Sequence, residues 1–347
     1  MPDKTQILII GSLPPPFGGT TVSLAHLVDG LQVNPNVKIS TINLNDEENK
    51  RVARRKKAWH LLTQLPKEIA STDVVTLHCC TKTLFVQALP IFILSKLYNK
   101  PLLIRKFAGT DYWLNGSWRG RLNAFILKKC DAVLLQTKQL VQLAKERGLQ
   151  NVHWFPTHRP MQHGSTHEAQ EKCKRFIYVG HVREAKGVLT LVEAAKLIPA
   201  HLSVDVYGNM FDDLPKDLFS NGSNIKYMGS LSPSEVVETM RQCDAFVFPT
   251  HHVGEGYPGV ILEAYCAGLP VISTRWLAIP EIVDDSVGIL IDPKDPKQLA
   301  DAMNRLADDP VLFHKLATNA AARAEMFSVK KWAAYFSELC RDLARKG

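Results

Sequence analysis

The sequence predicts an α/β protein made of two Rossmann-like, doubly wound domains facing across a cleft. Three observations carry this. The chain has 347 residues, beyond the ~250–300 at which a single core stops growing. Short apolar runs alternate with amphipathic stretches along its length, the pattern of parallel sheets flanked by helices. The alternation stops at a polar stretch from about His158 to Lys174, HRPMQHGSTHEAQEKCK, and then starts afresh. This places one domain at residues 1–166, a second at 167–328 and a terminal helix at 329–347.

In the first series, QILIIGS reads as a buried strand and TTVSLAHLVDGL as an amphipathic helix ending at Gly30. VVTLH, PLLIRKF and DAVLLQT supply further strands, and LVQLAKERG a helix closing on glycine. The second series has RFIYVGH, LSVDVYG, IKYMGS, DAFVFPT, LPVIST and VGILID as strands. Between the third and fourth of these, Ser232-Pro233-Ser234-Glu235 matches a capping box with proline at the first helical position, opening the helix SEVVETMRQC. An amphipathic helix over about Val329–Arg345 ends the chain. Sheets of this kind bind ligands at the carboxyl ends of their strands.

Composition narrows the class. With 46% apolar and 22% charged residues this is an ordinary globular protein. The seven cysteines are scattered and form no CxxC pair, so neither a disulfide framework nor a zinc site is supported, and a reduced, cytoplasmic setting is expected. MPDKTQILIIGS carries an acid at position 3 and runs straight into a strand, unlike a signal peptide. The longest apolar stretch, Leu84–Leu94, is broken by Gln87 and falls short of the ~18–20 residues of a membrane span. The net charge of +8 is uneven: residues 1–166 hold 22 Lys and Arg against 10 Asp and Glu. An anionic partner is therefore expected on that side alone.

The most informative segment is EGYPGVILEAYCAGLPVIST, with Glu255 and Glu263 eight positions apart. A helix is expected from about Pro258–Gly259 through Ala267, which puts Glu263 roughly 6 Å along its axis. The free N–H groups of Gly259, Val260 and Ile261 then point back toward Glu255, and a glycine-opened helix start is an anion site. Carboxylates beside it cannot ligand phosphate but accept hydrogen bonds from sugar hydroxyls. Together they suggest a nucleotide-sugar site.

An E-x7-E pair followed by A-x-x-x-G-x-P-V-I resembles the donor signature of the family 4 retaining glycosyltransferases, which have the GT-B fold. The resemblance implies a donor domain at 167–328, an acceptor-side domain at 1–166 and a terminal helix crossing back to the first domain. In YVGHVREAKGV, Lys186 matches the family lysine. His181 stands where arginine is common, and Arg183 can supply the missing guanidinium. Gly18-Gly19 after the first strand corresponds to a pair near the donor diphosphate and acceptor; a plain helix start reads equally well. Many relatives have a histidine where this chain has Ala108, followed by Gly109-Thr110-Asp111, and Asp111 or Thr110 is the candidate to face the sugar instead.

The resemblance thus makes Glu255, Lys186, Arg183 and Asp111 the expected catalytic residues. Glu263, Gly256, Tyr257, Gly259, Val260, Ile261, Gly18, Gly19 and His181 are expected to hold the donor. It implies sugar transfer from a nucleoside diphosphate to a glycan or lipid-linked acceptor in cell-envelope, exopolysaccharide or lipopolysaccharide synthesis. No cofactor is expected beyond the donor, and no metal: D-x-D is absent from the sequence, and adjacent His251 and His252 point opposite ways if extended. The run from Arg51 to Leu62, five cations beside Trp59, suits an anionic membrane surface as well as a solvated loop. No nucleic-acid motif accompanies it. A sugar-nucleotide epimerase and a non-catalytic or partner-dependent nucleotide-binding subunit remain as rival readings.

Overall fold

A computed structural model describes residues 4–45, 64–107, 116–161, 171–215, 217–220 and 224–346. The chain divides into two compact units, Met1–Pro160 with Val329–Gly347, and Met161–Ser328.

The first unit contains a parallel sheet of β1 (Thr5–Gly11), β2 (Val37–Asn43), β3 (Val74–Cys79), β4 (Leu102–Lys106), β5 (Ala132–Leu135) and β6 (Val152–Trp154). The spatial order is β2-β1-β3-β4-β5-β6. The chain leaves β1 toward one edge and returns on its other side, so the winding reverses between β1 and β3. Both sheet faces are covered, which is why the inner strands read as unbroken apolar runs. Leu8, Ile10, Val75 and Leu77 face one core; Ile7, Ile9, Val74 and Leu103 face the other. Edge strand β2, VKISTIN, has only Val37 buried, and β6 is three residues long. Neither announces itself by an apolar run.

The first helix does not stop at Gly30 but spans Gly19–Gln32. A Cβ at Gly30 would lie 2.5 Å from Val329 Cγ1 and 2.9 Å from the Ala333 Cβ. The glycine therefore serves a close helix crossing rather than a helix end. The partner is the terminal helix Val329–Lys346, whose Trp332, Phe336, Cys340 and Leu343 are buried with Leu27 and Phe155 in the first unit's core. The apolar run around Leu84–Leu94 lies in the helix Thr81–Leu97. No helix among the described residues is long and apolar enough to cross a membrane.

The second unit repeats the plan with β7 (Arg175–Val179), β8 (Ser203–Tyr207), β9 (Ile225–Gly229), β10 (Ala245–Phe248), β11 (Val271–Thr274) and β12 (Gly288–Ile291). Their order is β12-β11-β10-β7-β8-β9, all parallel, with the reversal between β7 and β10. The expected capping box forms only in part. Glu235 accepts from the Ser232 N–H at 2.8 Å and the Ser232 hydroxyl at 2.6 Å. The Glu235 N–H donates to the Ser232 carbonyl at 3.0 Å rather than to the Ser232 hydroxyl, and the regular helix begins later, at Val236.

Candidate active site

The winding reversal in the second unit brings the carboxyl ends of β7 and β10 side by side. After β7 the chain passes Gly180 and His181 into a tight turn at Glu184–Lys186. The turn closes through Lys186 N–H to the Arg183 carbonyl at 3.1 Å and Gly187 N–H to the Glu184 carbonyl at 2.8 Å. Gly187 has φ +80°, and a Cβ there would sit 1.9 Å from the Pro249 carbonyl oxygen. Both the left-handed conformation and the close approach demand glycine. The turn is tied to the loop after β10 by the His251 N–H, which donates to the Ala185 carbonyl at 3.0 Å.

This clasp brings Lys186 and Glu255 together. Lys186 Nζ donates to Glu255 Oε2 at 2.6 Å, and the ammonium lies 5.4 Å from the centre of the Phe248 ring. The same Glu255 oxygen accepts from Thr250 Oγ1 at 2.9 Å. Thr250 is fully buried, and its carbonyl in turn accepts from the Thr274 hydroxyl at 2.5 Å. Thr250 and Phe248 were not singled out from the sequence, since a threonine at the end of an apolar strand carries no local signal of what it faces.

Arg183 lies at the edge of this group. Its Nε is 3.4 Å from Asp213 Oδ2, an ion pair in which Nε makes no hydrogen bond. Its guanidinium rests 5.1 Å from the Phe211 ring, which also meets the His181 ring at 5.0 Å. Burial, followed by the charges of Lys186 and Arg183, lowers the His181 pKa against the opposing pull of Glu255. Burial and Lys186 likewise lower that of His252. The Tyr178 phenol, buried and near Glu255, is held well above its ordinary pKa; it donates to the His181 carbonyl at 2.8 Å and fixes that loop.

The helix that follows Glu255 spans Gly259–Cys266, with Pro258 as its cap. Two expectations change here. Ile261 N–H is not free: it donates to the Pro258 carbonyl at 3.1 Å, because the first turn tightens to an i→i−3 bond. Gly259 and Val260 remain as the donors of the helix start. Tyr257 also departs from its expected role. It is 2% exposed, its phenol donates to Glu281 Oε2 at 2.6 Å, and its ring packs edge-on against Phe327. Its side chain belongs to the interior, leaving only the main chain for a ligand. Glu263 is half-buried one turn into the helix, and Gly256 is buried.

In the first unit, Gly18 precedes the helix that starts at Gly19. Gly18 N–H donates to Thr21 Oγ1 at 3.0 Å, so that donor is already used. A Cβ at Gly19 would meet nothing within 4 Å, which leaves open space beside the helix start. Ala108, Gly109, Thr110 and Asp111, and the basic run Arg51–Leu62, lie outside the described residues. Among those that are described, no group of three or more His, Cys, Asp or Glu is arranged to hold a metal ion.

Residues 173–309 match the family described as Glycosyl transferases group 1. The chain is 28% identical over 186 residues to D-inositol 3-phosphate glycosyltransferase of Corynebacterium kroppenstedtii, covering 49% of this chain and 41% of that protein. It is 29% identical over 163 residues to O-antigen chain mannosyltransferase B of Escherichia coli, covering 44% and 42%. The chain thus spans about two fifths of the length of these curated relatives. Among solved structures, Anabaena Alr3699/HepE in complex with UDP superposes with a TM-score of 0.77 at 16% identity, over 97% of this chain and 100% of that one. The lipopolysaccharide outer core galactosyltransferase WaaB in its apo form gives 0.71 at 17% identity, over 96% and 98%. These likenesses show the fold, that of the GT-B class.

Proposed function

We propose, from the match of residues 173–309 to the Glycosyl transferases group 1, that this protein is a retaining glycosyltransferase using a nucleoside-diphosphate sugar. The observation that carries the reading is the buried Lys186–Glu255–Thr250 cluster beside a glycine-opened helix start, at the point where the sheet winding reverses. Ligands of doubly wound sheets bind at such points.

In this reading the donor diphosphate lies against Lys186, Arg183 and the N–H groups of Gly259 and Val260. An ammonium has three donors, so Lys186 bonded once to Glu255 keeps two for phosphate oxygens. These fixed positive groups stabilise the departing diphosphate in place of a metal, each at the scale of a few kcal/mol. Glu263 accepts hydrogen bonds from the ribose hydroxyls. Glu255 orients the transferred sugar and stabilises the positive charge that develops on its ring. The anomeric C–O bond to phosphate breaks as the bond to the acceptor oxygen forms on the same face, and the leaving phosphate takes the acceptor proton. No separate base is needed.

The relatives' names, an inositol-phosphate glycosyltransferase and an O-antigen mannosyltransferase, support a glycan or lipid-linked acceptor in envelope polysaccharide synthesis. The basic balance of residues 1–166 supports an anionic partner on that side, at the cytoplasmic membrane face. The test is a thermal-shift screen against UDP, GDP, ADP and their sugar conjugates without added metal. Ligand at about 100 times its dissociation constant adds ~2.7 kcal/mol of stability. A shift with one nucleotide identifies the donor class. No shift with any overturns the unaided-donor reading in favour of a partner-dependent subunit.

A further inference from the structure

Two helices of the first unit carry an apolar surface that the chemistry above does not use. In Thr81–Leu97 the exposed residues Val86, Pro90, Ile93 and Leu97 recur at helical spacing along one face, with Val86 70% and Leu97 73% exposed. In Trp118–Lys129, Trp118 and Phe125 lie two turns apart and are 65% and 53% exposed. Ring contacts join the stripes: Trp118 meets Phe85 edge-on at 5.1 Å, and Phe125 meets Phe92 at 6.3 Å. A contiguous exposed apolar patch marks an interaction surface.

The surrounding charge says what it meets. Neither helix contains a single Asp or Glu, while Lys96, Arg119, Arg121, Lys128 and Lys129 are all exposed. The Arg119 guanidinium lies 5.3 Å from the centres of both the Phe85 and Trp118 rings, a cation set against the aromatic surface. Apolar and aromatic side chains fringed mainly by cations, of which Lys96 pairs with an acid, Asp131 at 3.7 Å, match an interface where lipid tails lie beneath anionic headgroups. A second copy would have to offset these cations with acidic groups, and beside these helices stands Asp131, already paired with Lys96 at 3.7 Å.

We propose that the face formed by Thr81–Leu97 and Trp118–Lys129 docks the first unit on an anionic lipid bilayer, with Trp118, Phe125 and Leu97 as apolar anchors and the flanking cations on the headgroups. This deepens the membrane-face part of the reading above and is independent of which sugar is transferred. The test is co-sedimentation of the full chain with phosphatidylcholine vesicles, with and without phosphatidylglycerol. Binding should require the anionic lipid and weaken with salt. Trp118→Ser/Phe125→Ser should weaken it about tenfold or more, and so should Lys128→Glu/Lys129→Glu. Both variants should keep the wild-type thermal midpoint and nucleotide-induced shift, which separates loss of docking from loss of the donor site. Three results overturn the proposal: no vesicle binding, undiminished binding by both variants, or self-association in solution that the Trp118/Phe125 variant abolishes.

Discussion

Lys186 Nζ and Glu255 Oε2 stand 2.6 Å apart with both side chains largely shielded from water, 69 residues apart in sequence. The pair joins the loop after β7 to the loop after β10. Breaking a buried pair from one side strands the other charge, at about 3–5 kcal/mol. Lys186→Met should therefore destabilise the second unit on that scale and weaken nucleotide binding. Glu255→Gln keeps an acceptor for Lys186, so the fold and nucleotide affinity should survive while transfer is abolished. Thermal unfolding and a turnover assay on both variants check this; a Glu255→Gln enzyme at wild-type rate would remove the role given to Glu255.

Glu263 serves the ribose in the proposed mechanism. Losing one or two hydrogen bonds to a charged acceptor, at about 1.5–3 kcal/mol each, should raise the nucleotide dissociation constant of Glu263→Ala by tenfold or more. Turnover at saturating donor should change little. Calorimetric titration decides it, and unaltered affinity rules the assignment out.

Two glycines separate backbone demand from ligand access. Gly187→Ala forces a Cβ toward the Pro249 carbonyl at 1.9 Å from a left-handed backbone; it should lose stability and donor affinity together, by more than about 1 kcal/mol in stability. Gly19→Ala meets no protein atom within 4 Å and should fold as well as the wild type. A Gly19→Ala variant that folds normally yet transfers poorly would mark that helix start as ligand-facing. Normal transfer would make it a plain helix start.

Acid should destabilise the first unit through its buried histidines. Burial and then the Arg105 charge hold His78 and His158 well below the ordinary pKa of 6.5. Burial and then Arg159 bring His26 to about 4. In each case the folded state binds fewer protons than the unfolded chain. The stability from neutral imidazole is thus whole above pH 6.5 and lost as pH falls from 6.5 toward each folded pKa, for His26 down to about 4. The slope reaches at most about 1.4 kcal/mol per pH unit per histidine. Urea midpoints at pH 7.5, 6 and 5 should fall in sequence, and less steeply for His78→Asn. A flat profile would contradict the burial of these rings as neutral groups.

The inner strands of the second unit were legible as apolar runs between turns because they are covered on both faces, whereas edge strand β9 leaves Lys226, Tyr227 and Met228 exposed. The helix start at Pro258–Gly259, the turn bearing Lys186, and Glu255 could be read from local residue types. Those features depend on neighbours in the chain, and periodicity and turn chemistry report such neighbours. The direction of the Tyr257 side chain, the Ile261 N–H bond, the Thr250 hydroxyl on Glu255 and the passage of a helix through Gly30 could not be read this way. Each depends on an atom that is nearby only after folding or on the exact tightness of one turn: Glu281 for Tyr257, Glu255 for Thr250, Val329 for Gly30. The sequence by itself determined the alternation, the parallel α/β plan and the residue types offered to a site, since local sterics and the burial of apolar faces suffice for these. Only the tertiary structure decided which of those residues meet, because reversing the winding between β7 and β10 sets two distant loops side by side.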